Sequence, residues 1–230
     1  MLSTHLRWYH VNMNERNKSI RKAFLSSSGC RYYPDSRETK MVETDLKKVR
    51  RLLRRYERMN SLRYRIVFLR DTCEIENNYP HTHADVIFFP SMYFEMVDAE
   101  RVRLLIHEMI HVYQRYFPIP YHKMLIEHFG YEVHSLRATN PHVDRVRSNP
   151  DVNGLLYSSR GKYMLPILHE GAKSIQDVSV RAFDANTNGA RKSLDGTYGI
   201  NEEHVNEVVA YYLENRIKDG TLSDELRAFL

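Results

Sequence analysis

The sequence predicts an α+β fold: a small twisted sheet packed on one buried helix, with a last helix closing a cleft. Three observations predict it. Asp98 opens a helix-length stretch to Phe117, buried by Leu104, Leu105, Ile106, Ile110 and Val112, that stops at Pro118 and Pro120. Two short runs, RYRIVFLR at 63–70 and ADVIFF at 84–89, are rich in β-branched and aromatic residues and read as strands. Residues 202–218, far downstream, read as a second long helix.

The elements follow in order. Residues 1–40 are polar, basic and weakly patterned, which predicts an arm with a short helix near 16–25. Leu46, Val49, Leu52, Leu53 and Tyr56 recur at helical spacing, so 42–59 is expected to be a helix capped by Thr44 or Asp45. Its other face carries Lys47, Lys48, Arg50, Arg51, Arg54, Arg55 and Arg58, either a solvated face or a surface for nucleic acid or an acidic protein. The strand at 63–70 leads into a loop at 71–83. The strand at 84–89 ends at Pro90, and 92–96 is a short turn. After the 98–117 helix, 121–137 is apolar enough for another, bent or ended at Gly130. Residues 140–162 and 185–199 read as loops from their Pro, Gly, Asn and Ser content. Between them, 163–169 and 174–183 alternate as strands around a Glu170-Gly171 turn. The expected organisation is a basic arm over 1–41 and one domain over 42–230.

Composition narrows the classes. A chain of 230 residues with 42% apolar and 27% charged content buries a core and is neither disordered nor collagen-like. No apolar run approaches the roughly 18 residues of a membrane span. Residues 1–60 hold 15 Lys/Arg against 6 Asp/Glu, a net of +9, while the whole chain carries +5. The basicity therefore belongs to the first quarter, which suits nucleic acid or an acidic partner. Cys30 and Cys73 can close at most one disulfide and lack metal-ligand spacing. With no secretory signal visible, an intracellular setting is expected: cytoplasmic, virion or nuclear. No Gly-rich phosphate loop is present, so nucleotide chemistry is not expected.

The motif that carries chemistry is His107-Glu108-Met109-Ile110-His111 within LLIHEMIHVYQ. On a helix, residues four apart project from one face one turn apart, so both imidazoles reach one tetrahedral Zn²⁺ at about 2.0–2.1 Å. Glu108 flanks the first histidine, where a carboxylate takes a proton from a zinc-activated water and returns it to a leaving amine. One zinc per chain is expected. Such a site needs a third protein ligand. The near candidates are His122, His128 and His134; the far ones are Glu202, Glu203, His204 and Glu207. Glu207 is favoured, because it sits mid-helix among Val205, Val208, Val209 and Tyr212, with small Ala210 three residues on. A buried carboxylate there needs a counter-charge.

A donor to the developing oxyanion is also required. Tyr157, Tyr163, Tyr198, Tyr211, Arg160 and His204 are chemically able, and Tyr211 and His204 gain from sharing a segment with Glu207. The His81-Thr-His83 pair is placed to line a cleft beside the 84–89 strand. Asp177 and Asp184 suggest no role.

LLIHEMIHVYQ followed far downstream by NEVVAYYLE resembles the gluzincin branch of zincin metallopeptidases, whose two histidines come from HExxH and whose third ligand is a glutamate on a later helix. With Pro80-His81-Thr82-His83, the strand ADVIFFP and Asn149-Pro150-Asp151, the pattern from about 79 to 217 resembles uncharacterised HExxH proteins of large DNA viruses. The resemblance implies a zincin-like fold and a peptide-hydrolysing enzyme acting on protein or peptide, with Glu108 catalytic and His107, His111 and Glu207 on zinc; His204 and Tyr211 are added as catalytic from their place beside Glu207. The 96-residue gap from His111 to Glu207 is longer than most gluzincin spacings. HEMIH is also similar to the SprT-like family, which cuts proteins crosslinked to DNA and whose third ligand is a histidine. Here that ligand would be His122, although Pro-Tyr-His122-Lys lacks the flanking glycines and no zinc-ribbon cysteines follow. A non-catalytic zinc-binding interaction module is a further alternative, against which an intact Glu108 argues.

Overall fold

The computed structural model describes residues 28–135, 145–147, 155–184, 193–198 and 204–230. The expected helix near 16–25, together with Glu202 and Glu203, lies outside them. The chain is α+β. By its internal contacts it divides into two units, Ala23–Met124 with Ala210–Leu230, and Met1–Lys22 with Leu125–Val209.

The first unit begins with β1 (Arg31–Tyr32) and α1 (Ser36–Leu53). The helix starts earlier than expected. Asp35 accepts from the backbone N–H groups of Arg37 and Glu38, while the Glu38 carboxylate accepts from the Asp35 N–H. That reciprocal pair is a capping box, and it outcompetes Thr44 and Asp45 as the start signal. Asp45 is instead fully buried mid-helix. The helix ends at Leu53, and a separate short turn, α2 (Glu57–Asn60), takes up the rest of the expected span.

β2 (Arg65–Leu69), β3 (His81–His83) and β4 (Val86–Pro90) join β1 in a four-stranded sheet of order β1-β2-β4-β3. β2 and β4 are parallel, with Val67 opposite Phe88, whereas β3 is an antiparallel edge, with Thr82 opposite Ile87. The 71–83 loop is therefore shorter than expected and feeds an edge strand. Cys30 and Cys73 are disulfide-bonded, with Cα atoms 5.9 Å apart. The bond ties the β1 entry to the connection before β3, in which Glu74, Glu76, Asn77 and Asn78 take left-handed backbone.

α3 (Asp98–Tyr116) packs against α1, β3 and β4. Leu105, Ile106, Ile110 and Val112 are fully buried, so the apolar residues that predicted the helix also fix it in the core. Phe68, Phe89 and Tyr93 fill the space beside the sheet with ring centroids 4.8–6.0 Å apart. Between α1 and α3 lies a buried ion pair. Arg101 Nε donates to Asp45 Oδ2 at 2.7 Å, and the Tyr93 hydroxyl donates to the same oxygen at 3.0 Å. Arg115, in the last turn, donates to Ala84 O and to Thr82 Oγ1, clasping the β3–β4 turn to the helix.

α4 (Pro118–Lys123) starts on a proline at its first position, where no N–H is needed. Phe117 occupies the junction, so Pro118 opens a second helix as well as ending the first. The helix expected over 121–137 is not continuous. A π-helical turn at Met124–His128 runs to Gly130, whose φ of +68° favours glycine, and β5 (Glu132–Ser135) follows.

In the second unit, β5 pairs antiparallel with β6 (Leu155–Ser158). β7 (Lys162–Leu168), β8 (Val178–Asp184) and β9 (Ser193–Tyr198) form a separate antiparallel sheet. The β7–β8 hairpin is as the alternation predicts, with Gly171 at φ +73° in its connection. It does not join the β2–β4 sheet. Tyr163, Leu165, Ile167 and Phe183 instead close a local core. β6 and β9 fall where loops were expected, because their pairing partners, not their own composition, make them strands.

α5 (Val205–Asp219) is one continuous helix that crosses the division between the units, and α6 (Asp224–Arg227) follows it.

Candidate metal centre

α3 presents His107, Glu108 and His111 from a buried stretch; the three are 6%, 3% and 1% exposed. Four-residue spacing puts the imidazoles one turn apart, and their Nε2 atoms face each other at 3.0 Å.

The other ring nitrogen of each histidine is occupied. His107 Nδ1 lies 2.8 Å from Glu214 Oε2, and Glu214 is itself 1% exposed. A carboxylate accepts, so Nδ1 carries the proton. His111 Nδ1 lies 3.0 Å from Gln114 Oε1, and the Gln114 amide donates to the Tyr121 hydroxyl at 3.3 Å. Both imidazoles are thereby turned so that their Nε2 lone pairs meet. Two lone pairs at that distance repel, and a positive centre between them resolves the arrangement. Arg103 Nη1 donates to the second oxygen of Glu214 at 2.9 Å, offsetting the charge of a buried carboxylate.

α5 supplies the remaining groups from one face, since positions 207, 211 and 214 are spaced by four and three. The Tyr211 ring lies 4.6 Å from the His107 ring. Ligand atoms of His107, His111 and Glu207 all lie within 4.8 Å of one another, a group of two buried histidines and a half-buried glutamate able to hold a metal ion. The donor set, two neutral imidazoles and one carboxylate, is of the kind that suits Zn²⁺ with an open fourth position.

His204 is the cap of α5. Its Nδ1 accepts from the Asn206 N–H at 3.1 Å, and its ring meets Tyr157 edge-on. Tyr163 stacks on Phe183 in the local core of its sheet. Arg160 takes left-handed backbone before Gly161, and Tyr198 lies on β9. His122 lies on α4, His128 on the π-helical turn and His134 on β5. Neither His122 nor His128 joins a metal-ligating group among the described residues. His81 and His83 lie on the edge strand β3; His81 Nδ1 is 2.8 Å from Tyr79 O, and its ring stacks on Phe88. Asp177 accepts from the N–H groups of Lys173 and Ser174, which hold its carboxyl below the usual range and make it a turn residue. Asp184 ends β8.

Glu214, Gln114 and Arg103 were not anticipated from the sequence. Signals existed: Glu214 is two turns after Glu207 on the same face, and Gln114 is three residues after His111. Neither spacing says which nitrogen of which histidine will be met.

No protein-family model, no curated protein and no solved structure matches the chain.

Proposed function

We propose that this protein is a zinc-dependent metallopeptidase of gluzincin type, with His107, His111 and Glu207 as ligands and Glu108 as general base and acid. The observation that carries the reading is the pair of Nε2 atoms facing each other at 3.0 Å while Glu214 and Gln114 occupy both Nδ1 atoms. Zinc, when bound, supplies a Lewis acid that polarises the scissile carbonyl and acidifies water. Glu108 takes the proton of the attacking water and hands it to the leaving amine. It sits next to His107 in a buried stretch, 3% exposed. Tyr211, in ring contact with His107, is the donor assigned to the carbonyl oxygen, and His204 is a second candidate at the entry to the same helix. The substrate is a protein or peptide. An acidic partner or nucleic acid is assigned to the basic region over 1–60.

Metal content by mass spectrometry, combined with a peptide-hydrolysis assay, tests this. About one zinc per chain is expected in the wild type and in His122→Ala, and none in Glu207→Ala. Glu108→Gln should keep the zinc and lose roughly 100- to 10,000-fold in hydrolysis. Loss of zinc in His122→Ala alone would transfer the site to a histidine ligand and the function to the SprT type. Zinc retained with no hydrolysis of any peptide would leave an interaction module.

A further inference from the structure

A groove of about 740 Å³ lies between α1 and β2, and nothing in the proposed peptidase reading uses it. That volume is within the roughly 300–1,000 Å³ of small-molecule sites. Its walls come from two elements with matching periodicity. Val42 and Leu46 project from α1 one turn apart, and Ile66 and Phe68 project from one face of β2. Met109 of α3 lines the same groove, on a different side of that helix from His107 and His111. These positions explain why Leu46, counted in the sequence as core, is only half-buried. It borders the groove.

The lining also carries charge: Arg50 and Arg63, both exposed, border the groove with Tyr64, half-buried. Arg50 is near enough to Tyr64 to oppose the rise that burial imposes on the phenol. Neither arginine forms an ion pair among the described residues. Glu43 is the single acidic residue of the lining and lies two helical turns before Arg50. From Val42 to Arg50 the helix rises about 12 Å. A largely apolar trough of that length, bordered by two cations that have no carboxylate partner among the described residues, has the complementarity of one kind of small molecule.

We infer that this groove binds a medium-chain fatty carboxylate, with the chain along Val42, Leu46, Ile66 and Phe68 and the head group at Arg50 and Arg63. Arginine suits the head group because its planar donors match a carboxylate bidentately. The apolar walls suit the chain because each methylene they bury is removed from water.

The test is calorimetric titration of the full chain, stripped of metal, with decanoate below its micelle concentration. The measurement does not depend on the peptidase reading, so either can fail alone. One decanoate per chain is expected. Decanol, with the same chain and no charge, should bind roughly ten-fold more weakly, and decyltrimethylammonium more weakly still. Arg50→Gln combined with Arg63→Gln should weaken decanoate roughly ten-fold while leaving decanol unchanged. Leu46→Trp, which fills the trough, should abolish binding of both, with Val42→Phe as the alternative if the first variant melts early. No decanoate binding by the wild type overturns the inference. So does cationic amphiphile binding as tight as that of decanoate, or wild-type affinity in a folded Leu46→Trp.

Discussion

Glu214 holds the position of His107 rather than contributing a ligand. Its carboxylate fixes the proton on Nδ1 and leaves Nε2 to take the zinc proposed above. Glu214→Gln keeps the size and loses the charge-assisted bond, so zinc affinity should fall roughly 10- to 100-fold, read by competition with a chromophoric chelator. An unchanged affinity would mean that α5 packing alone orients the ring. Asp45 is the other residue whose loss should be felt strongly. It is fully buried against Arg101, whose guanidinium it holds above the usual range through their hydrogen bond. Asp45→Ala removes the closest carboxylate from a buried cation, leaving it the Met96 carbonyl and the more distant Asp98, and should cost about 3 kcal/mol in urea denaturation. Asp45 could not be read as core from the sequence, because a charged residue on a helix is ordinarily solvated. Its partner lies 56 positions away.

Elements differ in what anchors them. α1 rests on its capping box, and Asp35→Ala should cost about 1 kcal/mol. The β1 end of the sheet rests on the Cys30–Cys73 bond, which spans 43 positions. By loop-closure entropy such a bond contributes about 4 kcal/mol, so reduction should lower the melting temperature and a non-reducing thiol titration should find no free cysteine. Two free thiols in unreduced protein would show that the pair stays open where the protein works. At this scale α3 was legible in the sequence almost to the residue, because periodicity, an opening acidic turn and terminal prolines agree. The region 121–137 was not, because its apolar residues permit a helix while Gly130 turns the chain into a strand partner for β6. β6 and β9 were missed for the same reason: a strand with weak intrinsic preference is defined by the neighbour it pairs with.

For the whole molecule, alkaline stability follows from two buried phenols. Tyr93 is held far above its ordinary value of 10.0 chiefly by burial and then by the Asp45 carboxylate; Tyr113 is raised by burial. In the unfolded chain both ionise near pH 10, while in the folded one they stay protonated. Stability from this source is therefore complete below about pH 10 and is lost as pH rises further. Tyr93→Phe should flatten that decline in urea midpoints measured from pH 9 to 11, and an equally steep decline would mean that Tyr93 is not its source. The sequence by itself determined the α+β class, the buried HExxH helix and the final helix, because these rest on local periodicity and on fixed spacing along one helix. It also singled out Glu207, because a carboxylate in an apolar helical stretch needs a counter-charge. Tertiary structure alone decided the rest. It separated the β7–β8 hairpin from the β2–β4 sheet, paired Cys30 with Cys73, and set Glu214 and Gln114 on the two imidazoles. Apart from Gln114, three residues from His111, each of these depends on distant segments meeting, and that depends on which surfaces the whole chain buries together, which no local pattern encodes.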